Sequence, residues 1–144
     1  MFRKLIVPII ALSWLAACAG NEAAQPAPPP APAPTVSFMT FFDWDSAKLT
    51  DQAQRTIQQA ASAYQGKGAN ARVTATGYTD TTGSNDYNTR LAQRRVDAVK
   101  DGLVKAGVPA AAITTSSRGE SDLLVTTADQ VKDQRNRRVQ IIIQ

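Results

Sequence analysis

The stretch from Val73 to Val104, VTATGYTDTTGSNDYNTRLAQRRVDAVKDGLV, leaves this chain the fewest ways to fold. Val73-Thr74-Ala75-Thr76 alternates as a strand and breaks at Gly77, a polar turn runs from Tyr78 to Gly83, and a long helical pattern follows. At about 3.6 residues per turn, Asn88, Leu91, Ala92, Arg95, Val99, Leu103 and Ala106 fall in one broad stripe. The stripe is mostly apolar, so it should face a core. Arg95 breaks it. A guanidinium on a buried face requires a carboxylate or an anionic ligand to offset its desolvation, and the preceding turn offers Asp80. From spacing alone, that pair reads equally as a structural ion pair fastening loop to helix and as a clamp for a ligand carrying both charges.

The same residues carry a family pattern. Thr79-Asp80, Gly83, Asn88, Leu91, Arg95 and Val99 match TD-x-x-G…N-x-x-L-S-x-x-R-A-x-x-V, and Asn136-Arg137-Arg138-Val139 matches a closing NRRV. In order and spacing, both blocks resemble the OmpA-like (OmpA/Pal/MotB) peptidoglycan-binding domain family, over roughly Val36 to Ile143. Tyr78, Ala92 and Val96 stand where the family often has His, Ser and Ala. The resemblance implies that Asp80 takes the ammonium, and Arg95 the carboxylate, of the free centre of meso-diaminopimelate in the peptidoglycan stem peptide. It further implies that Thr79 and Asn88 support the ligand by hydrogen bonds, that Leu91 touches it, and that Phe42 and Asp43 line the same groove. Without the resemblance, Thr79 and Asn88 read as turn and cap residues, Leu91 as core and Asp43 as a turn former. The cluster Arg135, Arg137, Arg138 divides evenly between a solvated loop and a contact for stem-peptide carboxylates or another envelope protein, with Arg138 a candidate structural arginine.

Upstream, Met1 to Gly20 reads as a secretory leader: basic at Arg3-Lys4, apolar from Leu5 to Leu15, and too short for a membrane-spanning helix of about 20 residues. It ends in Leu15-Ala16-Ala17-Cys18, which resembles a bacterial lipobox around the chain's only cysteine. That resemblance implies removal of residues 1–17, lipid on Cys18 and, with Ala19 next, outer-membrane sorting with the domain facing the periplasm. An ordinary secretory cut with Cys18 incidental is the plainer reading. Residues 18–35 form a tether in which six of the eight prolines lie between Pro26 and Pro34. In polyproline II geometry, at about 3.1 Å per residue, the fifteen residues Asn21 to Thr35 would hold a domain roughly 45 Å from its anchor.

The remainder, residues 36–144, reads as one domain. Val36 to Phe42 alternates as a first strand, Asp43-Trp44-Asp45-Ser46 is a polar turn, and Thr50 caps a helix to about Tyr64 that Gly66-Lys67-Gly68 stops. Gly107 should end the long helix as its C′ residue. Ile113 to Ser117 suggests a third strand, followed by Arg118-Gly119-Glu120-Ser121, which resembles the family's G-x-G-E-S loop with Ser117 in place of the first glycine. Thr127 to Arg137 is a polar loop with a helical turn, and Arg138 to Ile143 a last strand with Val139, Ile141 and Ile143 on one side and Gln140 and Ile142 on the other. The expected fold is α+β: a two-layer sandwich of two main helices packed on a mixed four-stranded sheet, βαβαββ in order.

Composition closes off several functions. The formal charge of +4 falls to +2 without Arg3 and Lys4, fourteen basic against twelve acidic residues, too weak an excess to argue for nucleic acid. With no histidine and one cysteine, a zinc site or a thiol dyad has no ligand set, so neither metal nor cofactor is expected. Glu120 is the only glutamate of residues 36–144, a poor start for the carboxylate pair of a glycosidase. Composition thus argues against catalysis, and the two resemblances imply a peptidoglycan binder, anchored to the outer membrane by lipid and tethering it to the wall. The alternative is a scaffold for other periplasmic envelope proteins.

Overall fold

The computed structural model describes residues 34–144. The leader, Cys18 and all but the last two residues of the tether lie outside the described residues.

The elements run β1 (Val36–Phe41), α1 (Asp51–Lys67), β2 (Val73–Tyr78), α2 (Asn85–Lys105), a 3-10 turn (Ala110–Ala112), β3 (Ile113–Gly119) and β4 (Arg138–Ile143). The sheet order is β1-β4-β2-β3. The β4 strand is antiparallel to both β1 and β2, and β2 is parallel to β3. This is the expected mixed four-stranded sheet. On its inner face Val73, Ala75, Val139, Ile141 and Ile143 form one core with Ile57, Ala60, Ala61, Val96, Val99 and Leu103 of the two helices. Each fully buried Val, Leu or Ile side chain contributes about 1.5–3 kcal/mol, which makes this layer the main source of stability. Gln140 and Ile142, on the other face of β4, are only half buried.

Both helices are capped as their sequences require. Thr50 Oγ1 accepts from Ala53 N at 3.1 Å and Ser84 Oγ from Tyr87 N at 3.3 Å. At the far end of α2, Gly107 takes φ +99° as the C′ residue. Gly107 N donates to Val104 O and Val108 N to Leu103 O, which together satisfy two carbonyls of the last turn in a Schellman motif. The α1 helix runs three residues past the expected end at Tyr64, because Gly66 stays helical and the stop comes at Gly68, with φ +90°.

Gly77 departs from expectation more tellingly. It does not break β2; the strand continues through Tyr78, bulging against β3 at Gly77/Tyr78. The glycine is there because α2 comes so close: a Cβ at this position would lie 2.4 Å from Ala92 O and 2.5 Å from Val96 Cγ2. This close approach sets the start of α2 beside the end of β2, where the polar residues gather. Val96 is buried along with the expected stripe, while Ala106 is only half buried. Phe42 falls just outside β1, although its N–H still donates to Arg137 O at 2.9 Å. The strand β3 runs on to Gly119, and 127–137 is a loop, as expected, with a single turn closed by Asn136 N to Asp133 O and Arg137 N to Gln134 O.

Candidate functional site

At the C-terminal end of β2, the turns after β1 and β2 and the first turns of α2 enclose a cavity of about 130 Å³. Its lining includes Trp44, Asp45, Asp80, Tyr87, Arg95 and Arg137, with Asn88 and Leu91 from the α2 face.

Arg95 is fully buried, but no carboxylate holds it. Its Nε donates to Ser46 O at 2.8 Å, Nη1 to Tyr78 O at 3.1 Å and Nη2 to Asp43 O at 3.1 Å. The guanidinium carbon lies 5.3 Å from the centre of the Phe42 ring. The structural Asp80–Arg95 ion pair, one of the two readings that spacing leaves open, does not form: the backbone carbonyls of Asp43, Ser46 and Tyr78 take the place of the carboxylate. Of the five N–H groups of a guanidinium these bonds use three, leaving one on each Nη. Burial, reinforced by the like charge of Arg137, pulls the Arg95 pKa down to about 10, so the group stays cationic at neutral pH.

Asp80 pairs instead with Arg137, Oδ2 to Nη1 at 3.0 Å. Oδ2 also accepts from Asp133 N, and Oδ1 from both the Oγ1 (2.6 Å) and the N–H of Thr82. Burial alone would raise this carboxyl's pKa, but the bonds from Thr82, Arg137 and Asp133 outweigh it and hold the group below its ordinary value. Arg137 further donates Nε to Phe42 O at 3.1 Å.

The other expected site residues divide. Asn88, 1% exposed, donates to Asp80 O at 3.3 Å and Glu120 Oε2 at 2.6 Å, so it braces the turn and lines the cavity. Leu91 forms part of the lining. Thr79 does not: it is buried, its N–H donates to Gly119 O at 2.8 Å, and its hydroxyl has no partner among the described residues. Phe42 is core beneath Arg95, not lining. Asp43 serves through its carbonyl, while its side chain is exposed.

The arginine cluster is three separate residues. Arg135 makes an exposed pair with Asp133 at 2.6 Å, worth little. Arg137 enters the site. Arg138 is buried, stacked 3.8 Å from the Tyr78 ring centre and bonded to Asp122 O at 3.2 Å, which fits the structural role considered for it. Sequence reasoning did not single out Trp44, Asp45, Thr82 or Tyr87. Trp44 is 53% exposed, with Nε1 on Thr82 Oγ1 and Lys132 Nζ 3.7 Å from the ring centre. Asp45 accepts from the Tyr87 hydroxyl.

A larger groove of about 470 Å³ lies between β1 and the start of α1, lined by Met39, Phe41, Ala53 and Arg135 among others. It is mostly apolar, and its one cation is already paired with Asp133. Among the described residues no group of three His, Cys, Asp or Glu could hold a metal, and no helix is long and apolar enough to cross a membrane.

A mixed sheet under two helices, with an aspartate turn facing a buried helix arginine, defines a class of domain, and comparison with known proteins agrees. The OmpA family model matches residues 41–137, and the chain belongs to that family. The chain is 36% identical over 119 residues to an outer membrane protein of Gluconacetobacter diazotrophicus, covering 78% of this chain and 31% of that one. It is 35% identical over 101 residues to the peptidoglycan-associated lipoprotein of Pseudomonas aeruginosa, covering 70% and 59%. It thus spans roughly a third to three fifths of these relatives' lengths. Among solved structures, the peptidoglycan-associated lipoprotein from Burkholderia pseudomallei superposes with a TM-score of 0.67 at 30% identity, covering 74% of this chain and 89% of that one. The C-terminal domain of Helicobacter pylori MotB, at 23% identity and a TM-score of 0.63 over 73% of this chain and 81% of that one, shares the fold.

Proposed function

We propose that this chain binds peptidoglycan non-covalently through the free, zwitterionic centre of meso-diaminopimelate. In this reading it does so from the outer membrane, held by lipid on Cys18, with the proline-rich tether spanning the gap between membrane and wall. The observation that carries the reading is the cavity itself: one small space lined by carboxylates and by a buried guanidinium with an N–H to spare on each Nη. A ligand carboxylate can bridge those two N–H groups, while the opposite wall offers negative charge to an ammonium. Leu91 gives the aliphatic stem an apolar contact. The volume of about 130 Å³ suits the end of one side chain. The names of two relatives, peptidoglycan-associated lipoproteins, point the same way.

Co-sedimentation of the detergent-solubilised chain with purified diaminopimelate-type sacculi tests this reading. Wild type should pellet, whereas Asp80→Ala and Arg95→Ala, once shown folded by circular dichroism, should stay in the supernatant. Equal pelleting of all three would sink the clamp. A second reading, a scaffold for periplasmic envelope proteins, draws on the apolar groove beside the exposed Met39 and Phe41 of edge strand β1. It requires that the Asp80 and Arg95 variants keep their protein partner.

A further inference from the structure

At the rim of the cavity, two exposed side chains from separate loops are held against each other. Trp44, in the turn after β1, forms part of the cavity lining and yet is 53% exposed, so it stands at the mouth. One edge of its indole is fixed: Nε1 donates to Thr82 Oγ1 at 3.3 Å, and that hydroxyl donates to Asp80 Oδ1 at 2.6 Å. Lys132, from the loop before β4, brings its ammonium 3.7 Å from the centre of the ring. Among the described residues no carboxylate forms an ion pair with Lys132, and the neighbouring Asp133 is taken by Arg135 at 2.6 Å. An aromatic face attracts a cation through its quadrupole but does not neutralise it. The stack also removes part of the rotamer freedom that a lysine otherwise loses on gripping an anion. Just outside the clamp, then, stands a positioned cation whose charge nothing in the protein balances.

We propose that Lys132, on its Trp44 shelf, is a second carboxylate contact for the stem peptide. This rests on the stem-peptide reading above and deepens it. With the distal centre of diaminopimelate inside the cavity, three methylenes lead out to the peptide backbone. There the flanking residues each carry a carboxylate unless amidated: D-glutamate on its α-carbon, which the γ-linkage leaves free, and a terminal D-alanine at its end. A cation at the mouth lets the chain read the amidation state of the stem as well as its diaminopimelate.

The test titrates three synthetic tetrapeptides calorimetrically into the detergent-solubilised full chain. The parent is L-Ala-γ-D-Glu-meso-diaminopimelate-D-Ala; one variant has D-isoglutamine in the second position and the other ends in D-alanine amide. Each variant lacks one carboxylate and keeps the diaminopimelate centre. At low salt, wild type should bind the parent about threefold more tightly than one of the variants, the size of one exposed ion pair. The variant that loses affinity identifies the carboxylate, and added salt should shrink the difference. Lys132→Gln should bind all three peptides alike, Lys132→Arg should keep the preference, and Trp44→Ala should reduce it. Equal binding of all three by wild type overturns the inference and leaves the stem-peptide reading standing, as does an undiminished preference in Lys132→Gln. Failure of folded wild type to bind any of them would instead bring down the stem-peptide reading and this inference with it.

Discussion

The two turns that wall the cavity are built on opposite terms. In Thr79 to Gly83 most polar groups are engaged. Asp80 holds four donors, and Thr81 Oγ1 bonds Ala128 O at 2.8 Å and accepts from Val131 N at 3.1 Å. Gly83 and Gln130 exchange two bonds of 3.0 Å. In Asp43 to Ser46 the backbone carbonyls fix Arg95, but the side chains of Trp44 and Asp45 are exposed and sparsely bonded. One turn spends its polarity on the fold, while the other leaves much of it open. A buried polar network is costly to break; exposed, sparsely bonded side chains are not.

Substitutions should separate the two. The largest effect on stability is expected from Asp80→Ala, which strands Arg137 and two backbone donors. Breaking a nearly buried pair should cost about 3 kcal/mol in urea denaturation. Thr81→Val, which leaves Ala128 O and Val131 N unsatisfied, should cost about 2 kcal/mol by the same measurement. Acid sharpens the contrast further. The pKa of Asp80 in the folded state lies below its ordinary 3.8, so between those values the unfolded chain binds more protons. Its charge therefore stabilises fully above 3.8, and that contribution is lost as pH falls through the folded-state value. The charge-dependent part of the stability gap between wild type and Asp80→Asn should close over the same window. Asp45→Asn, on the open turn, should change stability by no more than about 0.5 kcal/mol. A large stability loss there would erase the distinction between the turns.

Much of the fold could be read from periodicity: the four strands, both helices and the Gly107 stop follow from alternating or helical spacing and from glycine. Gly77 misled because glycine signals both a break and a close approach, and only the position of α2 decides between them. Arg95 was conspicuous as the one cation in an apolar stripe. Its partners were hidden, because backbone carbonyls leave no mark in a sequence. Asp80 lies fifteen residues before Arg95, yet its true partner is Arg137, 57 residues away. Antiparallel pairing of β4 with β2, Gly77 opposite Val139, places the residues before β4 beside those after β2. That register depends on tertiary structure, so the sequence offered the basic run as a possible contact without showing which of its arginines enters the site. Asp45, in the same polar turn as Asp43, was not singled out for the same reason: only the fold shows which carboxylate of that turn lines the cavity.

The most direct test changes the wall instead of the protein. Sacculi with meso-diaminopimelate and sacculi with lysine in the third stem position differ in the carboxylate that Arg95 is held to receive. In parallel sedimentations the wild-type chain should pellet with the first and remain in solution with the second. Equal pelleting with both would contradict recognition of the zwitterionic centre and place wall binding, if any, elsewhere on the domain.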